Sequence, residues 1–175
     1  METNKPSQSS VAFKWTIFSF LTAIILTYVF QFSGISQTSP LKYLTLIPYI
    51  AFLLLAQKEY RDKLGGFMTY GQGFMTGFLF ALFSGILTAI FLFIYYKILS
   101  PAVYDDMLKQ MRDQMSAKGA SDEMVQKMTG IYGSITFLTI ISFVGSVITG
   151  TIISLIGAAI FKKERSILDI AQDNN

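Results

Sequence analysis

Four stretches of the chain, 15–41, 43–57, 64–96 and 128–161, contain no charged residue. A bilayer core about 30 Å thick needs roughly 20 mostly apolar residues per spanning helix. Charge is costly at that depth, so its absence marks a span. The pattern predicts an all-α fold: a four-helix transmembrane bundle with spans at about 13–32, 41–57, 73–98 and 131–161. A different periodicity follows the third span. Val103, Met107, Met111 and Met115 recur every four residues, with Tyr104 and Leu108 beside them and charges on the other faces. This predicts an extramembrane amphipathic helix over about 101–118.

The segments between these elements carry their own signals. Residues 1–12 read as a polar, disordered N-terminus and 166–175 as a polar tail, leaving 13–165 as one membrane domain. The polar turn 33–40 makes the first two spans an antiparallel hairpin, and Pro48 predicts a kink in the second. Residues 58–71, with both charge signs and paired glycines, predict an interfacial turn. Tyr95, Tyr96 and Lys97 close the third span as an aromatic anchor with a cation at the helix end. Ser100 and Pro101 predict the start of the loop helix, and Gly119 its end. Ser121, followed by Asp122 and Glu123, caps a further helix that continues, with or without a bend, into the fourth span. The first apolar run is longer than a signal-peptide core and no small-residue cleavage site follows it, so a retained helix is expected.

Composition narrows the chemistry. Only 14% of residues are charged and the net charge is +3, too small to suggest nucleic acid. There is no Cys and no His, which removes disulfides, thiolate chemistry, the commonest metal ligand and the usual general base. No catalytic residue, cofactor or metal is expected. The spans hold no ionisable group, whereas pumps and proton-coupled transporters usually carry one. Their polar groups are Ser, Thr and Gln, such as Thr22, Gln31, Thr76, Thr88, Thr136 and Thr149, which can bond to carbonyls of their own helix. Asp105 and Asp106 are adjacent and face different directions on a helix, so they read as solvated and not as an acid–base pair.

Two small-residue stripes stand out. Gly73, Gly77, Ala81, Gly85 and Ala89 recur every four residues on the third span. Ser142, Ser146, Gly150, Ser154 and Ala158 do so on the fourth, and Gly145 and Gly157 widen that stripe. Small side chains let membrane helices approach closely, so the stripes predict packing of these two spans on each other, with a dimer interface or a sliding seam as the functional alternative. The Met-bearing face of the loop helix is the candidate surface for a partner or for the membrane, because thioethers make adaptable contacts. Read as a soft-metal site it lacks any Cys or His neighbour.

Residues 67–79 (FMTYGQGFMTGFL) and 95–125 (YYKILSPAVYDDMLKQMRDQMSAKGASDEMV) carry a resemblance. The first looks like an aromatic-Gly-Gln-x-Phe-x-x-Gly opening of a third helix. The second is similar to a Tyr-Tyr…Pro…acidic segment followed by Gly-Ala-Ser before an acidic turn. With the four-span layout, these resemble the domain-of-unknown-function family 4199, small multi-pass membrane proteins of Bacteroidetes-type bacteria, over about residues 11–165. The resemblance implies a bacterial inner-membrane location and no assigned chemistry.

The expectation is therefore a non-enzymatic integral membrane protein that acts through helix packing and a surface for a partner or for self-association. The alternative is a small homo-oligomeric channel or facilitator for an uncharged solute; a lipid-acting enzyme ranks third. The expected partners are the lipid bilayer and either a second copy or another membrane protein, with no nucleic acid. Lys14, Lys58, Arg61, Lys63, Lys162, Lys163 and Arg165 flank the spans on one side. Lys42, Lys97 and Lys127 flank the other, with Lys109, Arg112 and Lys118 further out. This bias puts both termini in the cytoplasm. A cysteine placed at Ser116 should then react with a membrane-impermeant reagent from outside the cell membrane. Labelling from the cytoplasmic side alone would reverse the orientation.

Overall fold

The computed structural model describes residues 6–34 and 40–164. They form six α-helices: α1 (Gln8–Phe32), α2 (Leu46–Lys63), α3 (Tyr70–Ile94), α4 (Pro101–Ala117), α5 (Asp122–Tyr132) and α6 (Ile135–Phe161). A 3-10 turn, Pro40–Thr45, leads into α2, and a π-turn, Tyr95–Leu99, continues α3. The described residues contain no strand beyond a single bridge between Met68 and Lys163, so the chain is all-α. The expected tail 166–175, the flanking Arg165, residues 1–5 and most of the polar turn lie outside the described residues.

Among the described residues, three segments are long and apolar enough to cross a membrane: Gln8–Phe32, Tyr70–Leu99 and Ile135–Phe161. The second expected span does not reach that measure. Lys58, Glu59, Arg61, Asp62 and Lys63 fill the last turns of α2, and its apolar first part is preceded by the 3-10 turn. Pro48 lies in the first turn of α2, where its missing N–H is not needed, so it begins a helix instead of kinking one.

Helix boundaries follow local chemistry. α1 starts at Gln8, earlier than expected, because the Ser7 hydroxyl accepts from the Ser10 N–H at 3.3 Å and Val11 and Ala12 are buried. α3 ends at Ile94, where a Ser100 N–H to Tyr95 carbonyl bond of 2.8 Å widens the last turn. Ser100 does not cap α4 through its side chain. Gly119, at φ 82°, ends the α4 segment in the left-handed region that glycine adopts freely. Ser121 caps α5, accepting from Met124 N at 3.4 Å. α5 does not run on into α6. The break falls at Gly133–Ser134, and the Ser134 hydroxyl caps the new helix by accepting from Phe137 N at 3.2 Å.

The chain divides into two compact units. One comprises the described residues up to Ser84 and from Ser146, the other Gly85–Gly145. The first is built on Ala12, Leu53, Ala56 and Phe80, all fully buried, with Trp15, Tyr49 and Phe52 packed around them. A second cluster of Val11, Tyr60 and Met68 lies against Leu64 and Phe161. The backbones of Met68 and Lys163 exchange hydrogen bonds of 2.8 and 2.9 Å, which ties the α2–α3 turn to the end of α6. The second unit is the α4–α5 hairpin with the helix segments that lead into it and out of it.

Candidate functional site: a small-residue seam, an ion cluster and a helical hairpin

α3 and α6 run antiparallel and meet over their small residues. A Cβ added at Gly73 would stand 3.2 Å from Ala158 Cα. One at Gly77 would stand 2.8 Å from Ser154 Cβ, and one at Gly150 3.3 Å from Ala81 Cα. Gly73 thus faces Ala158, Gly77 faces Ser154 and Ala81 faces Gly150. The four-residue repeats of the two helices run in step. Contacts this close leave room for backbone dispersion and for a cross-helix bond, here the Ser154 hydroxyl donating to the Phe74 carbonyl at 2.7 Å. The rest of the stripe is placed differently. Gly85 is buried, Ala89, Ser142 and Ser146 are half-buried, and Gly145 is exposed with nothing within 4 Å of an added Cβ.

Gln57 of α2 enters the same seam and is fully buried. Its amide nitrogen donates to the Gly73 carbonyl at 3.0 Å and to the Ser154 carbonyl at 2.9 Å, joining α2, α3 and α6 at one point. Its amide oxygen has no hydrogen-bond partner among the described residues and rests on Gly157, where any Cβ would collide with it. Reversing the amide would set the oxygen against two carbonyls, so the orientation is fixed. The sequence reading passed over Gln57 because it closes an apolar run just before a charged turn. Glycines and Ser154 on the two stripes were the available signal: they left space for one long polar side chain.

Two residues further on, Glu59 gathers the start of α1 and the end of α2. Lys14 Nζ bonds its carboxylate, Trp15 Nε1 donates to it at 2.7 Å, and Lys63 Nζ lies at 3.0 Å. Burial by itself would raise the pKa of Glu59. The hydrogen bonds from Lys14, Lys63 and Trp15, with the Coulombic pull of Lys14, outweigh burial and hold it at about 2. Lys14 also lies over the Trp15 ring, 4.9 Å from its centroid. This charged, aromatic collar is what an interfacial helix end needs.

In the other unit, the candidate face on α4 turns partly inward. Val103, Tyr104, Met107, Leu108, Met111 and Met115 are all half-buried, with no α4 residue fully buried. The Tyr104 hydroxyl donates to the Gly133 carbonyl at 2.7 Å, and Leu108 packs where Gly133 has no side chain. Val125 and Thr129 are the buried side of α5. The outward side is apolar in part, with Met124 and Ile131 exposed. A cleft of about 830 Å3 lies between α4 and α5. The described residues hold no group of three or more acidic residues that would hold a metal ion.

Two outcomes test these placements. Gly150→Leu should overpack the seam and destabilise the protein by about 1–3 kcal/mol, read as a lower midpoint of thermal unfolding in detergent. Gly145→Leu, five residues away on the same helix, should leave the midpoint unchanged; equal effects would mean that the seam is not the tight contact. Glu59→Gln addresses the collar. Because the folded carboxyl titrates at about 2 and its ordinary value is 4.5, its contribution is full above 4.5 and lost as pH falls toward 2. The variant should melt below wild type at neutral pH, and the gap should close over that acid range. A gap that persists at pH 2 would assign the effect to packing.

Against known families, residues 12–163 match the model of DUF4199, a family described as protein of unknown function, and the chain belongs to that family. No curated protein and no solved structure matches it.

Proposed function

We propose that this member of the family is a four-span protein of a bacterial inner membrane, with both termini in the cytoplasm. It works by binding and not by catalysis. Its α4–α5 hairpin is the contact surface for a second membrane protein or a second copy. The fourth crossing is supported by the way α1 and α2 close on each other. Lys14 and Trp15, near the start of α1, bond Glu59, near the end of α2. If α1 crosses, α2 must return. The 3-10 turn and the apolar part of α2 together, 40–57, supply the run that the return needs.

The observation that carries the binding reading is the outward side of α5. Met124 and Ile131 are 52% and 51% exposed on a helix that also carries Asp122, Glu123 and Lys127, whereas Tyr132 shares the face of buried Val125 and packs edge-on against Phe137. Apolar side chains left outward on a polar helix, opposite a side that is already packed, suit a protein contact. The channel alternative has less behind it. Thr22, Thr139 and Thr151 donate to carbonyls of their own helices, and Ser154 is engaged in the seam.

A photo-crosslinking residue at Met124, in cells or native membranes, should give one defined adduct. Ile131→Asp should abolish it while leaving protein level unchanged. A protein that stays monomeric in native-lipid nanodiscs and forms no adduct would overturn the reading.

A further inference from the structure

We propose that the cleft between α4 and α5 is a binding site for a small zwitterion, held by Arg112 at its anionic end and Asp122 at its cationic end. Three observations meet there. First, the cleft, at about 830 Å3, has the size of a small-molecule site, roughly 300–1,000 Å3. Second, Arg112 and Asp122 both line it, one from each helix. They are opposite in charge, yet they form no ion pair with each other or with any described residue. Third, Thr129 also lines the cleft, and its hydroxyl is buried without a hydrogen-bond partner among the described residues. The Thr129 residue is only 5% exposed.

An unpartnered buried hydroxyl is costly unless something supplies its bond. Val125 and Leu108 give the same cleft an apolar wall. The arrangement therefore offers a cation, an anion, a free hydroxyl and a greasy surface within one space. A ligand with a single charge would leave one of the two side chains unanswered. A zwitterion engages both. Two sources share this chemistry: a phosphatidylethanolamine headgroup, with phosphate and ammonium, and a free amino acid, with carboxylate and ammonium. The site is separate from the outward side of α5, so its occupancy does not depend on a partner docking there.

The test uses the full chain in nanodiscs of phosphatidylglycerol alone. Binding is read by calorimetry with L-leucine and with glycerophosphoethanolamine, and again after phosphatidylethanolamine is mixed into the lipid. Controls are 4-methylpentanoate, which lacks the ammonium, and 3-methylbutylamine, which lacks the carboxylate. At least one zwitterion should bind, and the two controls should bind at least about tenfold more weakly, the loss expected for one charged hydrogen bond. Arg112→Gln and Asp122→Asn, both at exposed positions, should each weaken the zwitterion by a similar factor. Thr129→Val should raise the melting midpoint of the ligand-free protein and still weaken binding. Preference for leucine or for the phosphoethanolamine group identifies the source. Failure of both zwitterions to bind overturns the proposal. So does equal binding of a singly charged control, or affinity unchanged in both charge variants.

Discussion

The close approach of α3 and α6 is the constraint on which the first unit depends. It exists because Gly73, Gly77 and Gly150 carry no side chain where Ala158, Ser154 and Ala81 stand opposite. In lipid there is little hydrophobic gain in bringing two helices together, so association rests on contact distance and on cross-helix bonds. The seam supplies both. Removing side chains also makes room for Gln57, whose amide bonds one carbonyl on each of the two helices. The Met68–Lys163 bridge and the Glu59 collar then fix the helix ends around that point. Each outer contact assumes the spacing that the glycines set.

The two units divide the physical tasks. The first has a seam, a polar node and a charged collar, with the Gln57 oxygen and the Ser84 hydroxyl as its buried polar atoms without a partner among the described residues. The second leaves more chemistry open: an apolar outward side on α5, two unpaired charges and an unanswered hydroxyl around one cleft. Loops and their appended helices are where binding commonly resides, with the scaffold holding them.

Much of this was legible from the order of residues. Absence of charge located α1, α3 and α6, because length and hydropathy alone decide that a helix can lie in lipid. The loop helix was found within a residue of its end, since Pro101 and Gly119 act locally. The stripes disclosed which faces of α3 and α6 are small, though not that Gly145 lies outside the contact; a four-residue repeat drifts around a 3.6-residue helix and gives no partner. Pro48 misled because a proline signals a kink or a start, and only the 3-10 turn before it decides between them. The α4 face was named by its methionines, yet Tyr104 and Leu108 of that face already contact Gly133. Thr129 was beyond reach, and Gln57 was signalled only by the small residues opposite it, for one reason: a polar residue gains meaning from partners far along the chain, which periodicity does not record.

The seam also dictates an order of assembly. It joins residues 73–81 to residues 150–158, so it closes only after α6 has been synthesised. Until then α3 carries a bare small-residue face, and the Gln57 amide lacks its bond to the Ser154 carbonyl. A nascent chain in that state leaves a polar side chain one bond short and a groove shaped for a helix unfilled. It is then most open to an insertase that shelters the groove, or to pairing with the wrong helix. The arrival of α6 ends that interval and makes the earlier helices committed to their own chain.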